Sequence, residues 1–277
     1  MATVTVAHEN SAQIDIYYED HGSGQAVVLI HGYPLDGRSW EKQEHALLHA
    51  GFRVIAYDRR GFGRSGMPSG GYDYDTFAAD LDGLLKHLQL EGVVLVGHAM
   101  GTGEITRYLS TYGSARVSKA VLLSAIPPFL LKAFDNPDGV DQSVFDRIKT
   151  AVLNDRPAFI RRYIDDFYDV GIEARCRASE QTRLSSFNVG VSASPIATLA
   201  CVDTWLTDFR ADLPQIDVPV LLVHGDGDRL LPYRATAARL PGLIKDVELV
   251  TIRDGPHSIA WSYPEEVNAA LLSFLTR

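Results

Sequence analysis

The stretch "VLVGHAMGTGE" (Val94–Glu104) decides the fold of this chain. It begins as a short apolar strand, turns sharply between two glycines and continues with a helical pattern. Such a turn needs small residues at Gly97 and Gly101, strains the residue between them, and presents that residue at the mouth of a crevice as a nucleophile. Here the central residue is Ala99, which has no oxygen with which to attack. The surrounding residues must therefore show which chemistry the turn serves.

Short apolar runs alternate with helical patterns and predict an α/β fold around a mostly parallel sheet. Amphipathic spacing predicts helices at Tyr74–Leu88 and Gly101–Gly113, and a last helix from Ser262 onward. The predicted strands are Gln13–Asp20, Ala26–Ile30, Arg53–Tyr57, Val93–Val96, Lys119–Ser124, a run within Val218–Asp228, and Asp246–Ile252. In such sheets ligands bind outside the carboxyl ends of the strands, so we expect the chemistry just after each run.

A change of pattern after Pro127-Pro128 predicts a helical cap. From about residue 129 to 212 the helical stretches are "DRIKTAVLND", "PAFIRRYIDDFYD" and "CVDTWLTDFRADL". An insert of this kind between βα units is typical of a cap over one end of the sheet. We expect residues 1–126 and 213–277 to form the core, and residues 127–212 to form the cap.

Two later strands end in an acid and a base. "LLVHGDGDRLLP" supplies Asp226 and Asp228, and "TIRDGPHSIAW" supplies His257. The order of turn, acid and histidine is the order of a nucleophile–acid–histidine triad, in which the acid fixes the imidazole tautomer. The pattern alone does not decide whether Asp226 or Asp228 is the acid of the triad.

Backbone N–H groups in the same crevice predict an oxyanion hole. Met100 follows the turn and begins a helix, so its N–H can stabilise a developing negative charge. "HGYP" follows another strand, and Tyr33 is its natural donor because Pro34 has no N–H. The positions of Phe129, Trp205 and Ile259 make them candidates to line a substrate pocket, although such residues are as often simply packing residues.

Composition narrows the class of partner. A net charge of −9 and a pI near 5.4 disfavour nucleic acid and anionic membranes. No apolar run is long enough to span a bilayer, and the N-terminus has no signal-peptide pattern. Together with two cysteines, Cys176 and Cys201, this predicts a cytoplasmic protein with reduced thiols. No Cys/His cluster has metal-ligand spacing, so we expect no metal.

With these residues assembled, the chain resembles the bacterial cofactor-free haloperoxidases, perhydrolases and aryl esterases of the α/β-hydrolase superfamily. The resemblance runs nearly end to end and includes "YYEDHGSGQAVVLIHGYPL", "YDRRGFGRS", "VLVGHAMGTGE", "TWLTDFRADLPQIDVP" and "HGDGDRLLP". The family pattern has serine where this chain has Ala99. The resemblance implies an α/β-hydrolase fold with an eight-stranded, mostly parallel sheet, flanking helices and a helical cap.

The resemblance also implies a serine hydrolase that works through an acyl-enzyme, with Asp228 as the acid, His257 as the base, and Tyr33 and Met100 as oxyanion donors. Its substrates would be small esters, amides or lactams. Interception of the acyl-enzyme by hydrogen peroxide would give a peracid that oxidises halide without any cofactor. A homo-oligomer, as a trimer, is also implied.

Three explanations for Ala99 stay open. In the first, the serine has been changed to alanine to remove turnover, and the chain is nearly inactive. In the second, this is a natural non-catalytic relative that binds ligands. In the third, His257 and Asp228 act as a base without a nucleophile, as in cofactor-free oxygenases and some lyases.

Overall fold

Eight strands form one sheet in the computed structural model, which describes residues 2–172 and 175–277. Their order across the sheet is β1-β2-β4-β3-β5-β6-β7-β8. β2 pairs antiparallel with β1 and with β4, and all the other pairs are parallel. The strands are β1 Ala2–Glu9, β2 Ala12–His21, β3 Ala26–Ile30, β4 Arg53–Tyr57, β5 Val93–His98, β6 Val117–Leu123, β7 Val220–Gly225 and β8 Val247–Ile252. The predicted eight-stranded, mostly parallel sheet is confirmed.

Helices cover both faces of this sheet. They are α1 Glu41–His49, α2 Tyr74–His87, α3 Met100–Tyr112, α4 Gln142–Phe167, α5 Glu180–Ser192, α6 Pro195–Thr204, α7 Ile259–Ser262 and α8 Pro264–Leu275. Because side chains alternate along a strand, Val94 and Val96 of β5 pack in a cluster with Leu271 of α8, whereas Leu95 packs in a second cluster with Leu81 of α2. Burial on both faces explains why the central strands read as continuous apolar runs.

The chain between β6 and β7 forms α4, α5 and α6, in the region predicted to be a cap. Two of the predicted helical stretches join into α4, which is kinked at Asp155 and continues through Pro157. The side chain of Asp155 accepts a hydrogen bond from the N–H of Ala158 and so starts the second half of the helix. The division into 1–126, 127–212 and 213–277 stays a prediction.

Four local features differ from the sequence expectations. The helix predicted to run through "CVDTWLTDFRADL" ends at Thr204, because the Phe209 N–H donates to the Pro128 carbonyl (2.9 Å) and draws the chain back to the sheet edge. Strand β1 was not predicted; it lies at the edge of the sheet and buries only Val4. Helices α1 and α5 were not predicted either.

Within the described residues, no one helix has both the length and the hydropathy to cross a bilayer. Helices α5 and α6 meet these criteria only when taken together, and they are bent by 96° relative to each other.

Candidate active site

The turn at Ala99 has the strained geometry that its sequence predicts. Ala99 links β5 to α3 with φ 49° and ψ −111°, in a region that residues other than glycine rarely occupy. Its N–H donates to the Leu123 carbonyl (2.9 Å), and its carbonyl accepts from both the N–H (2.9 Å) and the hydroxyl (2.6 Å) of Thr102. Hydrogen bonds on both sides hold a conformation that costs roughly 1–3 kcal/mol.

The two flanking glycines are required by close backbone contacts. A Cβ at Gly101 would lie 2.3 Å from the carbonyl oxygen of Ile30, at the end of β3. A Cβ at Gly97 would lie 2.6 Å from the backbone of Gly101. Any side chain at either position would push α3 away from the sheet, so the glycines set the position of the turn.

The structure pairs His257 with Asp228 and not with Asp226. His257 Nδ1 donates to Asp228 Oδ2 at 2.7 Å, and both side chains are buried. The other oxygen of Asp228 accepts the N–H groups of Leu230 (2.9 Å) and Leu231 (2.8 Å). Asp226 is exposed and accepts the N–H of Asp254. Asp228 is therefore positioned to hold the ring of His257 in one tautomer.

The charge on Asp228 is stabilised by its partners. Burial works to raise the pKa of this carboxyl, but His257, His224 and the Leu231 N–H outweigh burial and bring the pKa below its usual value. An ionised acid of this kind favours the imidazolium that forms when His257 takes a proton.

The backbone of His257 is also fixed. Its carbonyl accepts hydrogen bonds from Nε2 of His98 (2.9 Å) and from the hydroxyl of Ser124 (3.0 Å). Burial lowers the pKa of His98 to about 3, with a further lowering from His257, so the ring is a neutral donor. The ring of Phe167 meets His257 edge to face, with centroids 5.3 Å apart. His257 is thus held through its backbone, its Nδ1 and its ring.

Two backbone N–H groups are free to face a ligand. Among the described residues neither Tyr33 N–H nor Met100 N–H donates to a protein acceptor. Met100 is the first residue of α3, where N–H groups have no partner within the helix. Tyr33 follows β3, the strand beside β5. The predicted donors therefore both lie at the carboxyl edge of the sheet.

Comparison with known proteins agrees with this fold. Residues 25–264 match the alpha/beta hydrolase fold family. A Synechocystis sp. protein provisionally named a non-heme chloroperoxidase is 59% identical, covering 99% of this chain and 100% of its own length. A crystal structure of bromoperoxidase from Bacillus anthracis is 44% identical with a TM-score of 0.95, covering 100% of this chain and 99% of that one. A bifunctional esterase/perhydrolase of Acinetobacter calcoaceticus is 34% identical, covering 95% and 96% respectively.

The chain belongs to the non-heme haloperoxidase group of the α/β-hydrolases. The group that the sequence resembled is thereby confirmed.

The three pocket candidates of this α/β-hydrolase lie in different surroundings. Trp205 packs edge to face on Tyr33, with centroids 4.8 Å apart, in the cluster that includes Ala99 and Met100. Ile259 packs in the other cluster, on the opposite side of the sheet, because α7 turns it toward α1 and α8. Phe129 is half-buried under the guanidinium of Arg210, 4.9 Å from its ring, and lies outside both clusters. The structure brings only Trp205 beside the predicted oxyanion loop.

A cavity of about 580 Å³ lies next to the His257 site. Its walls include His98 and Phe167, the two rings that contact His257, together with Trp40 and Trp261. Ala99, Asp228 and His257 do not line it. The cavity therefore reaches the supporting rings of the α/β-hydrolase site and not the reacting positions.

Three potential metal ligands come together elsewhere, on the surface of β2 and α1. One ligand atom from each of Glu19, His21 and Glu44 lies within 4.8 Å of the others. Glu19 already accepts hydrogen bonds from Tyr17 and Arg64. None of the three belongs to the site at Ala99.

Sequence reasoning missed several supports of the site. Thr102 was given no role, although a threonine hydroxyl near a helix start can donate to the carbonyl three residues earlier, here that of Ala99. Tyr163 of α4 packs on Tyr33 at 5.3 Å between centroids, and no sequence signal indicated it. The contacts of Phe167 and Ser124 with His257 join residues far apart in the chain and have no local signature.

Proposed function

We propose that this chain carries the site of a serine hydrolase for small esters or amides, silenced by the alanine at position 99. The observation that supports the proposal is the Asp228–His257 pair, at 2.7 Å, beside a strained turn whose central side chain lacks a single oxygen. An oriented acid–base pair, free oxyanion donors and a strained turn between strand and helix together make up the machinery of nucleophilic catalysis.

The chemistry follows from these positions once a serine stands at 99. His257, held in one tautomer by Asp228, takes the hydroxyl proton as the oxygen attacks the acyl carbonyl. The N–H groups of Tyr33 and Met100 stabilise the oxyanion of the tetrahedral intermediate. His257 then gives its proton to the leaving alcohol or amine, and an acyl-enzyme remains.

Two nucleophiles can release the acyl group. Water, deprotonated by His257, gives a carboxylic acid. Hydrogen peroxide, deprotonated in the same way, gives a peracid, which oxidises a halide ion in solution to hypohalous acid and becomes the carboxylic acid. Neither route uses a metal or an organic cofactor. The names of the chloroperoxidase, bromoperoxidase and esterase/perhydrolase relatives support this pair of activities.

The surroundings of Tyr33 favour uncharged acyl groups. Tyr33, Tyr163 and Trp205 form an aromatic cluster above the predicted oxyanion loop. Aromatic walls bind apolar groups and exclude carboxylates, which would lose hydration without gaining a partner. We infer small esters, with amides and lactams as slower substrates. The trimer and the cytoplasmic location stay predictions of the resemblance and the composition.

The variant Ala99→Ser tests the proposal. Loss of a triad member in a comparable hydrolase costs about 10⁶-fold in kcat, so restoring the serine should raise p-nitrophenyl acetate hydrolysis by several orders of magnitude. Peracid formation from acetate and hydrogen peroxide should rise with it. The matched control is Ala99→Ser/His257→Ala, which keeps the new hydroxyl and should return the rate to that of the parent.

Each alternative gives a different result. A rate that does not rise with Ala99→Ser contradicts the hydrolase proposal. Turnover by the parent chain that disappears in His257→Ala supports an oxygenase or lyase that uses the pair as a base. Ligand affinity that survives loss of both His257 and Asp228 supports a binding protein.

A further inference from the structure

The direction of the Tyr33 N–H is set through the carbonyl of Gly32. The two groups belong to one planar peptide unit, in which C=O and N–H point in opposite directions. That carbonyl accepts hydrogen bonds from Nδ1 of His31 (2.9 Å) and from the N–H of Leu35 (3.1 Å). Fixing the carbonyl on one side therefore aims the N–H on the other.

The tautomer of His31 depends on Arg59. Nε2 of His31 accepts the backbone N–H of Arg59 at 2.9 Å, so the ring proton must be on Nδ1, which donates to Gly32. Burial lowers the pKa of His31 to about 3, with a further lowering from Arg59, and the ring stays neutral. The guanidinium of Arg59 also donates from Nη2 to the His31 carbonyl at 2.9 Å.

The position of Arg59 depends in turn on Glu104. Nε of Arg59 donates to Glu104 Oε2 at 2.7 Å, and the Tyr57 hydroxyl donates to the other carboxylate oxygen. Both charged side chains are buried, with exposures of 1% and 0%. Burial raises the pKa of Glu104 above its usual value, although Arg59 and Tyr57 oppose the rise. Glu104 lies on α3, the helix whose first N–H belongs to Met100.

We propose that Arg59 and Glu104 are positioning residues of the oxyanion hole: they link α3, which provides the Met100 donor, to the loop that provides the Tyr33 donor. This inference rests on the proposed hydrolase function. The buried ion pair fixes His31, His31 fixes the Gly32 carbonyl, and the carbonyl fixes the Tyr33 N–H. The N–H groups of Tyr33, after β3, and of Met100, after β5, are thereby held in a fixed orientation relative to each other.

The kinetic test uses Arg59→Met/Glu104→Gln in the Ala99→Ser background. Changing both partners avoids a stranded buried charge, and the glutamine still accepts from Tyr57. Removal of a whole oxyanion donor costs about 10²–10³-fold in kcat, so a misdirected donor should lower kcat about 10–100-fold. KM should change less than about threefold, because the donor acts mainly in the transition state.

A neighbouring ion pair provides the matched control. Arg60 and Asp80 are also buried and joined by two hydrogen bonds, of 2.6 and 2.5 Å, but among the described residues neither is hydrogen-bonded to His31. Arg60→Met/Asp80→Asn in the same background should leave kcat within about threefold. If both double variants lower kcat equally, the role of Arg59 and Glu104 is only structural and the inference is wrong.

A second measurement uses the parent chain and needs no activity. Long-range ¹H–¹⁵N NMR should show His31 in a single tautomer protonated at Nδ1. Arg59→Met/Glu104→Gln keeps the backbone N–H of residue 59 but removes the side-chain bonds to Glu104 and to the His31 carbonyl that hold this N–H opposite Nε2. In this variant the ring should therefore populate both tautomers, and in the Arg60/Asp80 control it should not. An unchanged tautomer in the first variant overturns the inference. If Ala99→Ser is inactive, the proposed function fails while this measurement still decides the positioning chain.

Discussion

Gly101→Ala should show how much of the turn depends on close backbone contact. The new Cβ would lie 2.3 Å from the Ile30 carbonyl oxygen, whereas real Cβ atoms essentially never approach a heavy atom within 3.0 Å. Because the clashing atom is backbone in a buried strand, α3 and β3 must separate by roughly 0.7 Å or more. Overpacking of this kind costs about 1–3 kcal/mol, and alanine regains up to about 1 kcal/mol through helix propensity.

We therefore expect the clash to dominate, with a net loss of about 1–2 kcal/mol in the free energy of unfolding, measured by urea denaturation. The control is Gly83→Ala on α2, where the added Cβ would meet only Val6 at 3.4 Å, an ordinary contact. That variant should gain about 0.5–1 kcal/mol. A Gly101→Ala protein as stable as the Gly83→Ala control would refute the reasoning.

Two further predictions concern the acid and the buried histidines. In the Ala99→Ser background, Asp228→Asn should lower kcat for p-nitrophenyl acetate about 10⁴-fold, because the amide favours the wrong tautomer of His257; an unchanged kcat would mean that another group orients the ring. Burial lowers the folded-state pKa of both His31 and His98 to about 3, so the unfolded chain binds more protons than the folded chain between pH 6.5 and 3. For each histidine, the free energy of unfolding should therefore decrease by about 1.4 kcal/mol for every unit by which the pH is lowered in this range. His98→Gln should remove one such contribution between pH 6.5 and 5 in urea denaturation, and an equal pH slope in variant and parent would contradict this.

The sequence predicted those parts of the site whose cause is local. Gly97 and Gly101 are needed for contacts within the turn or at the end of the adjacent strand, and a run such as Ala26–Ile30 records burial on both faces. Asp228 and His257 each come after a strand, and because these parallel strands end at the same edge of the sheet, the sequence indicates that the two side chains lie close together. Such features leave a pattern over a few residues.

Other features depend on contacts between distant residues. The helix ends at Thr204 because Phe209 bonds to Pro128, some eighty residues earlier, and helical periodicity does not contain that contact. The link from Glu104 through Arg59 to His31 joins three elements, and each residue alone is consistent with an ordinary surface or turn position. The packing of Ile259 in the cluster with residues of α1 and α8 depends in the same way on the face of α7 that it occupies, which its distance along the chain from His257 does not indicate.

The strained turn at Ala99 is held by its neighbours' backbone and by Thr102, and the side chain at 99 makes none of the hydrogen bonds that maintain it. Scaffold and reactive atom are therefore separable. The same position can be given the oxygen of Ala99→Ser or the sulfur of Ala99→Cys without redesigning the loop. Variants of position 99 therefore allow different nucleophiles to be compared on the same backbone and with the same neighbouring residues.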